Sequence, residues 1–134
     1  MIGLGAVLLA LVLLGVRPQT PEQFRSTVET SVQDALSSVG TARLVGRTAL
    51  QDNTIAPYES AVLADARKSV ATAIADVAEA QPPDASSREL RDAALPLLQE
   101  SARLIGDLDA GDRTAVDGLA AVKGELASVL EAVR

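Results

Sequence analysis

Phe24 and Tyr58 are the only aromatic residues of this 134-residue chain, which contains no Trp. Any hydrophobic core must therefore be built from Val, Leu, Ile and Ala side chains, and small side chains of this kind let helices approach closely. The chain also contains no Cys. No disulfide can stiffen the fold, so its stability must come from helix packing or from a partner.

An uninterrupted apolar run, residues 1–16, opens the chain, carries no charge and stops at Arg17 and Pro18. About 16 helical residues reach about 24 Å, against a hydrocarbon core of about 30 Å. We interpret the run as a retained single transmembrane helix, followed by a linker at 17–21. The alternative is a cleaved signal peptide. This alternative has less support, because the run has no charged n-region and no A-x-A cleavage site precedes Arg17.

Small residues give this anchor a predicted packing face. Gly3, Ala6 and Ala10 fall roughly on one side of the helix, and small side chains allow close helix contact in lipid. The side of the membrane that holds the rest of the chain is less clearly indicated. Arg17 and Arg25 follow the anchor, which favours the cytoplasm, whereas N-terminal apolar segments often act as export signals. We expect an extracytoplasmic domain, with a cytoplasmic bundle as the alternative.

Four stretches of residues 22–134 have the three- and four-residue spacing of amphipathic helices. The first starts at Thr20, with Gln23 completing a capping box. The predicted inner faces are Val28, Val32, Ala35, Val39, Ala42, Gly46 and Ala49 in the first helix; Tyr58, Val62, Ala66, Val70, Ala73, Val77 and Ala80, widened by Leu63 and Ile74, in the second; Leu90, Ala94, Leu97, Ser101, Leu104 and Leu108, with Leu98 and Ile105, in the third; and Val116, Leu119, Val122, Leu126, Val129 and Val133 in the fourth.

Turn-forming residues separate these helices. Polar residues gather at 51–57, paired prolines end the second helix, and a capping box at 86–89 starts the third. Gly111 is predicted to end the third helix and Asp112 to cap the fourth. Pro96 should bend the third helix or split it into two pieces. Short polar turns between amphipathic helices predict an all-α fold, with residues 22–134 forming an antiparallel up-down-up-down four-helix bundle.

The residue types needed for most difficult chemistry are missing. The chain has no His, and Met1 is its only Met, which excludes di-iron, phosphotransfer and haem bundles. The carboxylates that begin at Asp107 resemble a calcium loop, but an EF-hand would need Gly and Glu where this chain has Asp112 and Gly118. We therefore predict no enzyme, no catalytic residue, no metal site and no cofactor.

The net charge of -6 argues against nucleic acid or anionic headgroups as partners. We expect a non-enzymatic accessory or scaffold subunit that sits in the lipid bilayer, within a larger bacterial membrane complex such as a respiratory or transport assembly. In composition the chain resembles small exported or membrane-anchored helical bundles of bacteria with high-GC genomes. The resemblance rests on Ala, Val, Arg and Asp content and transfers no functional residue.

The alternative function is a membrane-tethered binding module for a small hydrophobic ligand. Its site, or a partner-binding region, would be Leu95, Pro96, Leu97 and Leu98, at the expected bend. The two hypotheses differ in what they require of the fold. A ligand module should have a cavity beside Pro96, whereas a scaffold should expose a strip of Ala, Val or Leu along the bundle.

Overall fold

The computed structural model describes residues 19–50 and 56–134, which are helical and contain no strand. Within these ranges the predicted helical bundle is confirmed. α1 begins at Pro21, the last residue of the predicted linker. The helices are α1 (Pro21–Leu50), α2 (Ala56–Glu79), α3 (Ala85–Asp109) and α4 (Ala115–Val133).

None of these four helices is both long enough and apolar enough to cross a membrane. The predicted anchor, residues 1–16, lies outside the described residues, and so does its packing face of Gly3, Ala6 and Ala10. The membrane anchor therefore remains a prediction from the sequence.

α2 and α3 run in opposite directions, and so do α1 and α4. The hydroxyl of Ser60, near the start of α2, donates to Asp109 at the end of α3 over 3.1 Å. The Arg134 guanidinium, just after α4, lies 3.8 Å from the carboxylate of Glu29 in the first half of α1. α1 packs against all three other helices, while within the described ranges α2 and α4 do not touch. The α1–α3 pair therefore forms the short diagonal of the four-helix bundle.

The buried apolar side chains form one continuous core. Most of the predicted α1 face is buried as expected, from Val28 through Ala42. The prediction for this helix missed Phe24, which is fully buried. Phe24 lies four residues before Val28 and therefore continues the same helical face.

The predicted start of the α2 inner face is wrong. Tyr58 is 64% exposed, and the neighbouring Glu59 is buried instead. Glu59 lies four residues before the buried Leu63, so it shares the helical face that points at the core, whereas Tyr58 lies to one side of it. The position of each residue around the helix, and not the polarity of its side chain, therefore determines that Glu59 is buried and Tyr58 is exposed. The buried face of α2 is Glu59, Leu63, Ala66, Val70, Ala73, Val77 and Ala80.

The capping prediction is confirmed for α1 and wrong for α3. The Gln23 amide donates to the Thr20 hydroxyl, and the Thr20 amide donates to the Gln23 side chain, both over 3.1 Å. In α3 the cap is Asp84, whose carboxylate accepts from the Ser87 amide over 2.8 Å. Hydrogen bonds from Ser87 lower the pKa of Asp84, because they favour the charged carboxylate. α3 therefore begins before the predicted capping box at 86–89.

Gly111 follows the end of α3 as predicted, but the prediction that Asp112 caps α4 is wrong, because the N-cap residue is Thr114 and no side chain caps this helix. Gly111 has a φ of 101°, a left-handed conformation that Gly adopts without strain. The Asp112 carboxylate accepts from the Thr114 amide over 3.0 Å, and α4 begins at Ala115. Asp112 thus stabilises the short turn that leads into the helix.

Pro96 does not split α3, which continues through it from Ala85 to Asp109. Pro96 and Asp92 both lie on the exposed side of the helix. The Asp92 carbonyl, which loses its helical donor at Pro96, can therefore bond to water. Solvent access explains why the helix tolerates an internal proline.

Gly46 and Gly124 offer a matched test of how closely the helices pack. A Cβ atom on Gly46 would lie 2.7 Å from Val116 Cγ2 and 2.9 Å from Leu108 Cδ2, both buried. Among the described residues, nothing lies within 4 Å of a Cβ on Gly124. We expect Gly46→Ala to destabilise the protein by about 1–2 kcal/mol net of its gain in helix propensity. Gly124→Ala should stabilise it by about 1 kcal/mol.

Thermal unfolding followed by far-UV circular dichroism measures both variants. The control for helix propensity is built into the pair, because each variant replaces a helical Gly by Ala. Equal stabilisation by the two substitutions would contradict the close approach of α1 to α3 and α4 at Gly46.

Candidate functional site

The predicted ligand region, Leu95 to Leu98, is largely part of the core. Leu98 is fully buried, and Leu95 and Leu97 are partly buried against the core cluster. Pro96 points outward and is exposed. The three leucine side chains therefore contribute to the core of the bundle. A ligand site at residues 95–98 stays a prediction.

The outer face of α2 carries a strip of small apolar residues, which we call the α2 strip. Its members recur at steps of three and four and lie on the side of the helix opposite the buried face. They form an apolar surface with one charged residue near its middle. The strip consists of Ala61, Ala64, Lys68, Ala71, Ala75 and Ala78, all exposed.

Charged side chains border the α2 strip unevenly. Asp65, Asp76 and Glu79 lie along one edge, and Arg67 lies on the other. The Arg67 guanidinium also rests near α3, because a Cβ on Gly106 would lie 3.6 Å from Arg67 Cζ. The strip is therefore an apolar surface with an acidic edge and a basic edge, a pattern that can orient a partner helix.

A second surface is a depression of about 470 Å³ between α1 and α4, which we call the basic groove. Each of its α1 residues has another member three or four positions away, so they share one side of the helix. Lys123 closes it from α4. The groove is lined by Leu36, Ser37, Gly40, Thr41, Arg43, Leu44, Arg47 and Lys123.

The positive charge of the basic groove is uncompensated. The groove lining contains no acidic residue, and residues 35–50 contain no Asp or Glu at all. Within the described ranges, none of Arg43, Arg47 and Lys123 forms an ion pair. The Nε of Arg43 is buried and has no hydrogen-bond partner there. Arg47, in the last turn of α1, also offsets the helix dipole.

Gly40 and Leu44 shape the groove. A Cβ atom on Gly40 would lie 3.9 Å from Lys123 Nζ, so the ammonium group sits close above the glycine. Leu44 is 65% exposed and is one of the two large apolar side chains that the described bundle leaves open to solvent. The groove therefore combines three cationic groups with an accessible apolar side chain.

Two arginines outside the groove, Arg113 and Arg103, pair with carboxylates. Arg113 donates to the Glu59 carboxylate over 2.6 Å, and their side chains are 41% and 11% exposed. This pair joins the start of α2 to the turn before α4. On the surface of α3, Arg103 pairs with Glu100 and, over 2.9 Å, with Asp107. Its hydrogen bond lowers the pKa of Glu100.

Sequence reasoning missed both the Glu59–Arg113 pair and the basic groove. A signal for the groove was present in part, because residues 35–50 lack acidic side chains and Arg43 and Arg47 are one turn apart. The position of Lys123 beside Gly40 depends on how α1 and α4 pack. The described residues contain no group of three or more acidic side chains placed to hold a metal ion.

No protein-family model, curated protein sequence or solved structure matches this chain significantly. The described bundle presents two exposed surfaces for contact with other molecules, the α2 strip and the basic groove.

Proposed function

We propose that this protein is a non-enzymatic accessory or scaffold subunit of a larger bacterial membrane complex, such as a respiratory or transport assembly. Residues 1–16 anchor it in the cell membrane, and the bundle braces a partner on the extracytoplasmic side. The observation that carries the proposal is the α2 strip, because an exposed small-residue surface along the bundle is what a scaffold requires.

The α2 strip suits contact with a helix of a partner protein. From Ala61 to Ala78 it extends about 26 Å at a rise of about 1.5 Å per residue. Alanines at alternating steps of three and four allow two helices to approach closely. Lys68 interrupts the apolar surface near its middle, and a single polar residue in such a seam can define the register of the pair.

The alternative, a tethered module for a small hydrophobic ligand, has less support. It would need an apolar cavity lined by residues such as Leu98 and Leu97. Leu98 is instead packed into the core, and Leu97 is partly buried against it. A ligand could enter there only by displacing core side chains.

The proposal is tested by purifying the tagged full-length protein from native membranes in mild detergent, with quantitative mass spectrometry of co-purifying proteins. We expect a stoichiometric set of membrane subunits. Replacing Ala71 and Ala75 by Glu should remove these subunits, because two carboxylates in the α2 strip prevent close helix contact and stay solvated only when the strip is free.

The matched control variant carries Glu in place of Ala121 and Ala132, which are exposed on α4. It has the same charge change and should retain the co-purifying subunits. Isolation of the protein alone would contradict the accessory function. Subunits whose soluble parts are all cytoplasmic would contradict the extracytoplasmic placement.

A further inference from the structure

We propose that the basic groove between α1 and α4 binds an acidic, partly apolar segment of the partner protein. The segment supplies Asp or Glu carboxylates to Arg43, Arg47 and Lys123, and an apolar side chain to Leu44. The proposal rests on the proposed accessory function and adds a second contact surface, on a different side of the bundle from the α2 strip.

Charge complementarity is the first argument. The protein as a whole carries a net charge of -6, yet the groove collects three cations with no acidic residue in its lining. Arg43 and Arg47 are one helical turn apart, so their guanidinium groups can engage carboxylates spaced along one segment. A guanidinium pairs with a carboxylate through two parallel hydrogen bonds.

The apolar content of the groove points to a protein segment as the occupant. Leu44 is 65% exposed, and Leu36 also lines the groove. Burying these side chains is favourable only if the ligand itself brings apolar surface. A free inorganic anion has none, whereas an amphipathic protein segment presents carboxylates and apolar side chains together.

Anionic lipid headgroups are disfavoured as the ligand of the groove, because the net charge of -6 repels a negatively charged membrane surface. Nucleic acid is disfavoured by the overall negative charge, which repels a polyanion.

The test uses the full-length protein in its native membranes, with a photo-crosslinking amino acid placed at Leu44 or, separately, at Ala71 in the α2 strip. We expect the probe at Leu44 to capture a protein segment rich in Asp and Glu. Arg47→Gln with Lys123→Gln should reduce this product about tenfold, because two interface charges are lost. An ionic strength of about 1 M, where the Debye length is about 3 Å, should reduce it as well.

Arg25→Gln with Arg88→Gln is the matched control, because it removes two exposed cations that lie outside both the groove and the α2 strip and should leave the Leu44 product unchanged. The salt measurement needs no charge variant and so does not depend on how the variants fold. Capture of lipid, of nucleic acid, of a second copy, of a segment without acidic residues, or of nothing at Leu44 would overturn the proposal. A partner captured at Ala71 alone would leave the accessory function standing, whereas no protein at either position would reject both.

Discussion

Replacing Phe24 by Ala is expected to cost about 3–5 kcal/mol of folding free energy. Phe24 is the largest fully buried side chain of the described bundle. Its loss removes apolar contact area and leaves a cavity in the core. Since small domains are stabilised by only about 5–15 kcal/mol, the variant should be close to unfolding.

Thermal unfolding of the full-length protein in detergent, followed by far-UV circular dichroism, measures this effect. We expect the midpoint to fall by roughly 10–20 °C. Tyr58→Ala is the matched control, because Tyr58 is the other aromatic residue and is 64% exposed. Its effect should stay within about 0.5 kcal/mol. Similar losses in the two variants would contradict the burial of Phe24.

Replacing Leu98 by Ala is expected to cost about 2–5 kcal/mol, because the side chain is fully buried within the core. The substitution also separates the two interpretations of the Leu95–Leu98 region. A core residue loses stability when it is shortened. A residue that lines an open ligand cavity has no packed neighbours on that side, so shortening it costs little.

The same unfolding measurement applies, with Leu44→Ala as the control. Leu44 undergoes the same chemical change at a position that is 65% exposed, and its effect should stay within about 0.5 kcal/mol. A stable Leu98→Ala protein would reopen the hypothesis of a hydrophobic-ligand site beside Pro96.

Several features of the fold could be predicted because they depend on neighbours along the chain. The capping box of Thr20 and Gln23 needs residues only three apart, and the turn at Gly111 needs a local left-handed conformation. Both were found as expected. The errors at Tyr58 and Asp84 were also local. Helical phase outweighs side-chain polarity at Tyr58, and Asp84 caps α3 in place of the predicted box at 86–89.

The candidate surfaces were less predictable. The α2 strip has a signal in the sequence, since Ala61 to Ala78 follow the spacing of a helical face, but alanines at that spacing are equally compatible with a buried face. Only the α1 side of the groove has such a signal, in the spacing of Arg43 and Arg47, because Lys123 comes from a helix that is far away in the chain. Likewise, the contact between Arg113 and Glu59 spans 54 residues of sequence.

The sequence was sufficient to predict the four helices of residues 19–50 and 56–134 and most of their buried faces, because side-chain periodicity and turn chemistry act over a few residues. The predicted turn at 51–57 lies mostly outside the described residues. Which helices touch, and how closely they approach, depends on the tertiary packing and could not be predicted from the sequence. Packing between distant segments produces the diagonal contact of α1 with α3 and the tight fit at Gly46. The same packing brings the unpaired charges of Arg43, Arg47 and Lys123 together. Periodicity shows which face of a helix is buried, but it carries no information about which partner covers that face.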